Sequence, residues 1–355
     1  MQRIKVIIVD DSASMRGLFS AMLGAAPDIE VVALAEDPYD AREKIRQHNP
    51  DVVTLDVEMP KMDGLTFLER IMTLRPMPVI MVSTLTTQGA DTTLRALELG
   101  AVDYIAKPEL LDEARLAAFG ESLVQKVRHA AKMRGRKPGG FVPVQAAQRL
   151  TFSGDCRRQL IAIGASTGGV EALRDLLCYL PANMPPIVIT QHMPELFTAS
   201  FARRLDALVA PTVQEAQDGQ RIEPGHVYIA PGNRHLEVVL RMGQIFCRVT
   251  EGPLVSGHKP SVDVMFQSVA LLVNWRRVGV LLTGMGHDGA QGLLALRQSG
   301  SRTLGQSESS CVVYGMPRAA MQAGAVEREL ALEAMPRAIV QLCETQETQY
   351  AGQQH

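Results

Sequence analysis

Short apolar runs recur at regular intervals through the first 106 residues: IKVIIV (4–9), EVVAL (30–34), DVVTL (51–55), PVIMV (78–82) and VDYIA (102–106). Between them lie segments with helical spacing. After Gly64, for example, Leu65, Leu68, Ile71 and Met72 fall on one face. A strand–helix alternation repeated five times leaves one economical solution, a parallel, doubly wound α/β sheet with helices on both faces.

The alternation stops over residues 131–157, which are first basic, then rich in Gly and Pro, then weakly apolar. This reads as a linker. Its Lys132, Arg134, Arg136 and Lys137 could meet a polyanion, but a solvated hinge is the simpler reading of so short a cluster. From Gln159 the alternation resumes with QLIAIG, a helix from Gly169, PPIVITQ and a helix from Glu195. A β-rich patch follows: HVYIA (226–230), HLEVVL (235–240) and QIFCRVT (244–250), separated by turns such as Pro231-Gly232 and Met242-Gly243. Then come a helix from Ser261, the strand VGVLLTG (278–284) and a helix from Gly289. The expectation is a second doubly wound α/β domain with an antiparallel hairpin. Boundaries are placed at 1–125, 126–157 for the linker and 158–345, with a polar tail over 346–355.

The chain of 355 residues is long enough for two cores. Its net charge of -2 gives no global field toward nucleic acid or an anionic membrane. No apolar run reaches bilayer-spanning length, and MQRIKVIIVDD lacks the layout of a signal peptide, so a cytoplasmic, not membrane-embedded protein is expected. Cys156, Cys178, Cys247, Cys311 and Cys343 are scattered and odd in number, with no CxxC pair. They read as reduced thiols, Cys178 as core, and neither a disulfide frame nor a zinc site is expected.

Asp10 and Asp11 follow the first strand, Asp56 the third, Ser83 ends the fourth and Lys107 ends the fifth, before Pro108. All five belong to the carboxyl edge of one parallel sheet, where such folds bind ligands. Clustered carboxylates repel unless a cation joins them, and an all-oxygen set suits Mg²⁺. A carboxylate there can accept a phosphoryl group, with a lysine and a hydroxyl to hold the transferred oxygens. The stretches VIIVDDSASMR, PDVVTLDVEMPKMDGLTFL, PVIMVSTLT and LELGAVDYIAKP resemble the response-regulator receiver family over nearly all of residues 3–125. The resemblance implies a flavodoxin-like five-stranded domain whose Asp56 is phosphorylated by a histidine kinase. It further implies that Asp10, Asp11, Asp56 and the backbone carbonyl of Glu58 hold Mg²⁺, that Ser83 and Lys107 sense the phosphoryl group, and that Tyr104 changes rotamer with it.

In the second half, Gly164-Ala165-Ser166-Thr167-Gly168 fits G-x-S-x-G on a strand-to-helix turn. Such a turn exposes a serine and offers backbone amides to an oxyanion. Short Gly/Ser loops also cradle phosphate. The phosphate reading lacks its lysine, since Val170 follows Gly169, and no G-x-G-x-x-G is present in the turn. A nucleophilic serine needs a base. Of eight histidines, His48, His129 and His355 lie outside this domain's strand ends and are expected at the surface. His226 begins a strand, His235 follows a turn and His258 lies in a Gly/Ser loop. His192, after PPIVITQ, and His287, in TGMGHDGA, are the two at the right edge, and Asp288 supplies a carboxylate at a third strand end. The order Ser, His, Asp differs from that of α/β-hydrolases. Gly284, Gly286 and Gly289 let backbone approach the site closely.

The stretches AIGASTGG, ITQHMP, YIAPGNRHL, HKPSVDVMF and LLTGMGHDGA resemble the chemotaxis protein-glutamate methylesterase family. The resemblance implies Ser166 as nucleophile, His192 as base and Asp288 as orienting acid, with Thr167 and the backbone of Met285 assisting at the oxyanion. His287, between Gly286 and Asp288, is read simply as a rim side chain. It implies hydrolysis of glutamate methyl esters on chemoreceptors, deamidation of specific glutamines, and no cofactor for the esterase step. A chemotaxis histidine kinase is the implied phosphodonor. The unphosphorylated receiver is expected to cover the esterase site and its phosphorylation to raise activity. Two other classes stand beside this one. A non-enzymatic switch would bind a nucleotide or anion through the Gly-rich loops. A DNA-binding regulator would need a helix-turn-helix and a basic face after the linker, where the sequence has strands and a near-neutral balance.

Overall fold

The computed structural model describes residues 3–84, 86–107, 113–135 and 150–344. Expectations that rest on Pro108, Arg136, Lys137, His355 and the tail over 346–355 lie outside these residues. The chain forms two compact units, Met1–Phe141 and Val142–His355.

In the first unit the elements alternate throughout: β1 (Ile4–Val9), α1 (Ala13–Gly24), β2 (Ile29–Ala35), α2 (Pro38–His48), β3 (Val52–Asp56), α3 (Gly64–Leu74), β4 (Val79–Ser83), α4 (Thr87–Glu98), β5 (Asp103–Ala106) and α5 (Glu113–Lys132). The strands pair in parallel in the order β2-β1-β3-β4-β5. Ser12, Asp37, Asp63 and Thr86 start α1 to α4, each side chain accepting from a backbone N–H of the first turn. Every residue of β3 and β4 is buried, as strands covered on both faces must be. In α3 the buried face is Phe67, Leu68 and Ile71; Leu65 and Met72 are half-buried, so the apolar stripe is turned slightly from the expected one.

Both ends of the segment expected as linker are structured. α5 runs on to Lys132 because Leu123, Val127 and Ala130 continue a buried stripe at helical spacing. At the other end, the Leu150 N–H donates to the Tyr179 carbonyl and Asn183 Nδ2 to the Phe152 carbonyl, which ties residues 150–152 to the second unit.

The second unit comprises β6 (Gln159–Ala165), α6 (Gly169–Leu177), β7 (Ile187–Gln191), α7 (Glu195–Asp206), β8 (Thr212–Glu215), β9 (His226–Ile229), β10 (His235–Arg241), β11 (Gln244–Thr250), α8 (Val262–Ala270), β12 (Arg276–Leu281), α9 (Ala290–Gln298), β13 (Arg302–Gln306), α10 (Met316–Gln322), β14 (Arg328–Leu330) and α11 (Met335–Glu344). Seven strands form one parallel sheet in the order β14-β13-β12-β6-β7-β9-β8. The expected hairpin is β10-β11, antiparallel, turning at Met242 and Gly243. β9, however, does not belong with that hairpin. It pairs in parallel with β7 and β8, because its Val227, Tyr228 and Ile229 are buried in the sheet core. β8, β13, β14, α10 and α11 are further elements that the sequence pattern alone does not resolve.

The strand order places a topological switch in each unit. In the first it lies between β1 and β3. In the second, β6 leads on to β7 on one side, while β12 leads on to β13 on the other. The crevice opens at the carboxyl ends of β6 and β12.

Candidate active site

In the first unit, Asp10, Asp11 and Asp56 bring carboxylate oxygens within 4.8 Å of one another at the β1/β3 switch. Lys107 Nζ lies 2.7 Å from Asp56 Oδ2 and 3.2 Å from Asp10 Oδ2. Burial pushes the Asp56 carboxyl up to about 6, against the pull of Lys107, and the charge of Asp10 adds to the rise. Burial alone would lower Lys107, but its hydrogen bond to Asp56 and the charges of Asp56 and Asp10 hold it above its ordinary value. The donor set is all oxygen, and Asp10 Oδ2 is buried without a hydrogen-bond partner. A hard divalent cation such as Mg²⁺ fits these residues. Ser83 is fully buried and its hydroxyl donates to the carbonyls of Thr84 and Gly89, so a phosphoryl oxygen would have to draw it away from them. Tyr104 is half-buried with Lys126 Nζ 5.7 Å from its ring centre, and burial raises its hydroxyl's pKa. Glu58 is exposed, and its N–H donates to Asp56 Oδ1 at 3.3 Å.

In the second unit, β6 ends at Ala165 and delivers Ser166 to the crevice. The turn that follows needs a residue with positive φ. Gly168 supplies it at φ 75°, and a Cβ there would lie 2.5 Å from the Val312 side chain. The Ser166 N–H donates to the Thr283 carbonyl, and Gly284 passes so close that an added Cβ would lie 2.8 Å from Ser166 Cβ. Thr167 is buried and its carbonyl accepts from Thr283 Oγ1. Met285 is half-buried, while Gly286 and His287 are exposed at the rim.

On the neighbouring strand, Gln191 is the register partner of Ala165, and the His192 N–H donates to the Ala165 carbonyl. Ser166 and His192 therefore leave adjacent strand ends side by side. His192 Nε2 lies 2.8 Å from Asp288 Oδ2. A carboxylate can only accept, so Nε2 carries the proton and Nδ1 is the basic nitrogen. Nδ1 is buried with no hydrogen-bond partner, so the serine hydroxyl does not engage it here. Such contacts commonly form only when substrate is bound.

Asp288 is fully buried and accepts three further bonds: from Ser261 Oγ at 2.8 Å, the Val262 N–H at 2.7 Å and the Asp263 N–H at 3.0 Å. The two amides belong to the first turn of α8, whose dipole favours an anion. Burial would raise the carboxyl, but His192 and these amides outweigh it and hold Asp288 down at about 2. Next to it Asp263 is raised by burial and by the charge of Asp288, with the Gly292 N–H and Ser256 Oγ bound to its oxygens.

The structure thus gathers Ser166, Thr167, His192, Met285 and Asp288 at one sheet edge. Four contributors were not read from the sequence. Gln191 Nε2 donates to the carbonyls of Ser166 and His192 and clamps the two strand ends together. Ser261 caps α8 and binds Asp288. His235 accepts from the Ser261 N–H at Nδ1 and donates from Nε2 to the Pro253 carbonyl. His258 stacks on His192. All lie within the stretches ITQHMP, YIAPGNRHL and HKPSVDVMF, but none sits at a strand end followed by a glycine turn. Of the histidines expected at the surface, His129 is half-buried, with an unpartnered buried Nδ1 and a pKa lowered by burial. Cys178, Cys247, Cys311 and Cys343 are buried free thiols, as core residues should be, and Cys156 is half-buried. Among the described residues, no helix is long and apolar enough to cross a membrane.

Comparison with known proteins finds relatives for both units. Residues 161–339 match the CheB methylesterase family, and residues 6–118 match the Response regulator receiver domain family. A protein-glutamate methylesterase/protein-glutamine glutaminase 1 of Caulobacter vibrioides is 56% identical over 346 residues, covering 96% of this chain and 98% of that one. A protein of the same name from Dechloromonas aromatica is 53% identical, covering 95% and 98%. The crystal structure of the Thermotoga maritima CheB methylesterase catalytic domain is 36% identical, with a TM-score of 0.51, over 54% of this chain and 99% of that one. The chain belongs to the CheB methylesterase family and carries a response regulator receiver domain ahead of its esterase domain.

Proposed function

We propose that this chain is a phosphorylation-activated protein-glutamate methylesterase and protein-glutamine glutaminase acting on chemoreceptors in chemotactic adaptation, in the cytoplasm. The observation that carries the chemistry is the 2.8 Å His192–Asp288 bond beside the Ser166 turn, with the unprotonated Nδ1 left for a serine proton.

In this reading Ser166 Oγ attacks the ester carbonyl while His192 Nδ1 takes its proton. Asp288 stabilises the imidazolium and fixes the tautomer. Thr167 and the backbone of Met285 assist at the oxyanion. His192 returns the proton to the leaving methoxide and methanol departs; water, deprotonated by the same nitrogen, then attacks the acyl carbon, the bond to Ser166 Oγ breaks, the serine oxygen takes the proton back from His192, and the receptor's glutamate carboxylate is released. A glutamine side chain enters the same sequence and loses ammonia in place of methanol. No step of this sequence calls for a cofactor.

In the receiver, Asp10, Asp11, Asp56 and the carbonyl of Glu58 would hold Mg²⁺, which when bound neutralises charge developing on a transferred phosphoryl group. Asp56 accepts that group from a histidine kinase: an Asp56 oxygen forms the new P–O bond as the P–N bond of the donor breaks. Lys107 and Ser83 bind the phosphoryl oxygens and Tyr104 responds. Unphosphorylated, the receiver holds esterase activity down, and the phosphoryl group must favour the active arrangement by its own interactions.

Methanol release from methylated chemoreceptor membranes tests the chemistry. Ser166→Ala and His192→Ala should each lower kcat by about 10³-fold or more, with little further loss in the double variant, because the groups act as a unit. A Ser166→Ala protein with wild-type turnover would refute the acyl-serine route.

A further inference from the structure

The rings of His192 and His258 are stacked, with centroids 3.7 Å apart and planes within 11° of parallel. The mechanism above uses His192 and gives His258 no role. The torsion between a histidine's Cβ and its ring is broad, so packing must set the ring plane. The bond to Asp288 restrains that plane weakly. It grips Nε2, at the far end of the ring from Cβ, whereas rotation about Cβ–Cγ swings Nδ1 through the wider arc. A flat wall at van der Waals distance along one face blocks that swing directly.

His258 is itself held firmly. It closes a two-residue turn in which Ser256 and Gly257 both have positive φ, 52° and 81°, and Val255 and His258 exchange both backbone hydrogen bonds at 3.0 and 2.9 Å. Ser256 Oγ donates to Asp263 Oδ2 at 2.9 Å, and Lys259 Nζ donates to the Gly252 carbonyl at 3.1 Å. His235 ties the Pro253 carbonyl to the Ser261 N–H at the start of α8. The loop that carries His258 is thus fastened to the same helix terminus that holds Asp288. One rigid unit fixes both the edge and the face of the His192 ring.

We propose that His258 is a positioning residue for the esterase reaction: its ring sets the plane of His192 so that Nδ1 stays aimed at the Ser166 hydroxyl. The proposal rests on the Ser166–His192–Asp288 reading. Its effect belongs in turnover, because a misaimed base slows proton transfer without altering what binds the ester.

Two variants separate a flat face from mere bulk. His258→Leu fills the space without a flat ring, and His258→Phe keeps the ring but no nitrogen. Methanol release from methylated receptor membranes gives kcat and KM, and Ser166→Ala is run alongside. His258→Leu should lose about 10- to 100-fold in kcat, the scale of a misplaced catalytic group. Its KM should stay within about twofold of wild type. His258→Phe should recover most of the lost turnover. Wild-type kcat in His258→Leu, equal losses in the two variants, or a loss confined to KM would each overturn the proposal. If Ser166→Ala is inactive while His258→Leu behaves as wild type, only the positioning role fails. If Ser166→Ala is fully active, the reading beneath it fails as well.

Discussion

Asp288 has no exposure to solvent and yet is more acidic than a free carboxyl. Four hydrogen bonds, two from the first turn of α8, take the place of water. Its folded value of about 2 lies below the ordinary 3.8, so its contribution to stability is full above that range and is lost as pH falls toward 2. The size is about 2 kcal/mol. Urea midpoints between pH 5 and 2 should therefore fall more steeply in wild type than in Asp288→Asn, and parallel curves would contradict the assignment. The same variant should lose roughly 10⁴-fold in kcat, because an amide cannot hold His192 in the required tautomer. The acidic pocket and the Ser166, His192 and Asp288 constellation were legible because a polar residue ending a buried strand is conspicuous against an apolar run. His258 and Ser261 reach the site from the loop ahead of α8, which has no periodicity, and His235 opens β10 rather than ending a strand; a histidine in a Gly/Ser loop looks the same whether it faces solvent or another ring.

At the scale of elements, α8 works in two directions. Val262, Met265 and Phe266 are fully buried in the core, and each such side chain stabilises by about 1.5–3 kcal/mol. Its N-terminus meanwhile supplies two amides to Asp288. Ser261 joins the roles, since its oxygen caps the helix at the Val264 N–H and its hydroxyl proton goes to Asp288. Ser261→Ala should cost about 1 kcal/mol of stability, read as a lower urea midpoint at unchanged slope. It should also lower kcat, which a surface cap of equal strength would not do. Long amphipathic helices and buried strands were readable from their periods. The assignment of β9 was not, because the apolar run of a four-residue strand cannot say whether it pairs with the next strand or with β7, as in Ile187 with Val227, far earlier in the chain. Parallel pairing is non-local, and the turns that follow β9 point toward the hairpin instead.

At the scale of the molecule, two parallel sheets each place chemistry at a switch point, one crowded with carboxylates and one built around a serine. The first is costly while Asp56 is ionised. Asp56→Asn should stabilise the receiver transition in calorimetry of the full chain at pH 8 by about 1–2 kcal/mol, since Lys107 keeps Asp10 as a partner. Added Mg²⁺ should raise that transition more in wild type than in the variant, and equal shifts would place the cation elsewhere. The proposed function joins the two units, with a phosphoryl group on Asp56 expected to raise hydrolysis at Ser166. The most direct measurement is methanol release from methylated chemoreceptor membranes by wild type, Ser166→Ala and Asp56→Ala, each with and without a small-molecule phosphodonor. Release by wild type should rise with the phosphodonor, Asp56→Ala should show basal release without that rise, and Ser166→Ala should show none. Stimulation that survives in Asp56→Ala, or release that survives in Ser166→Ala, would contradict the proposed function.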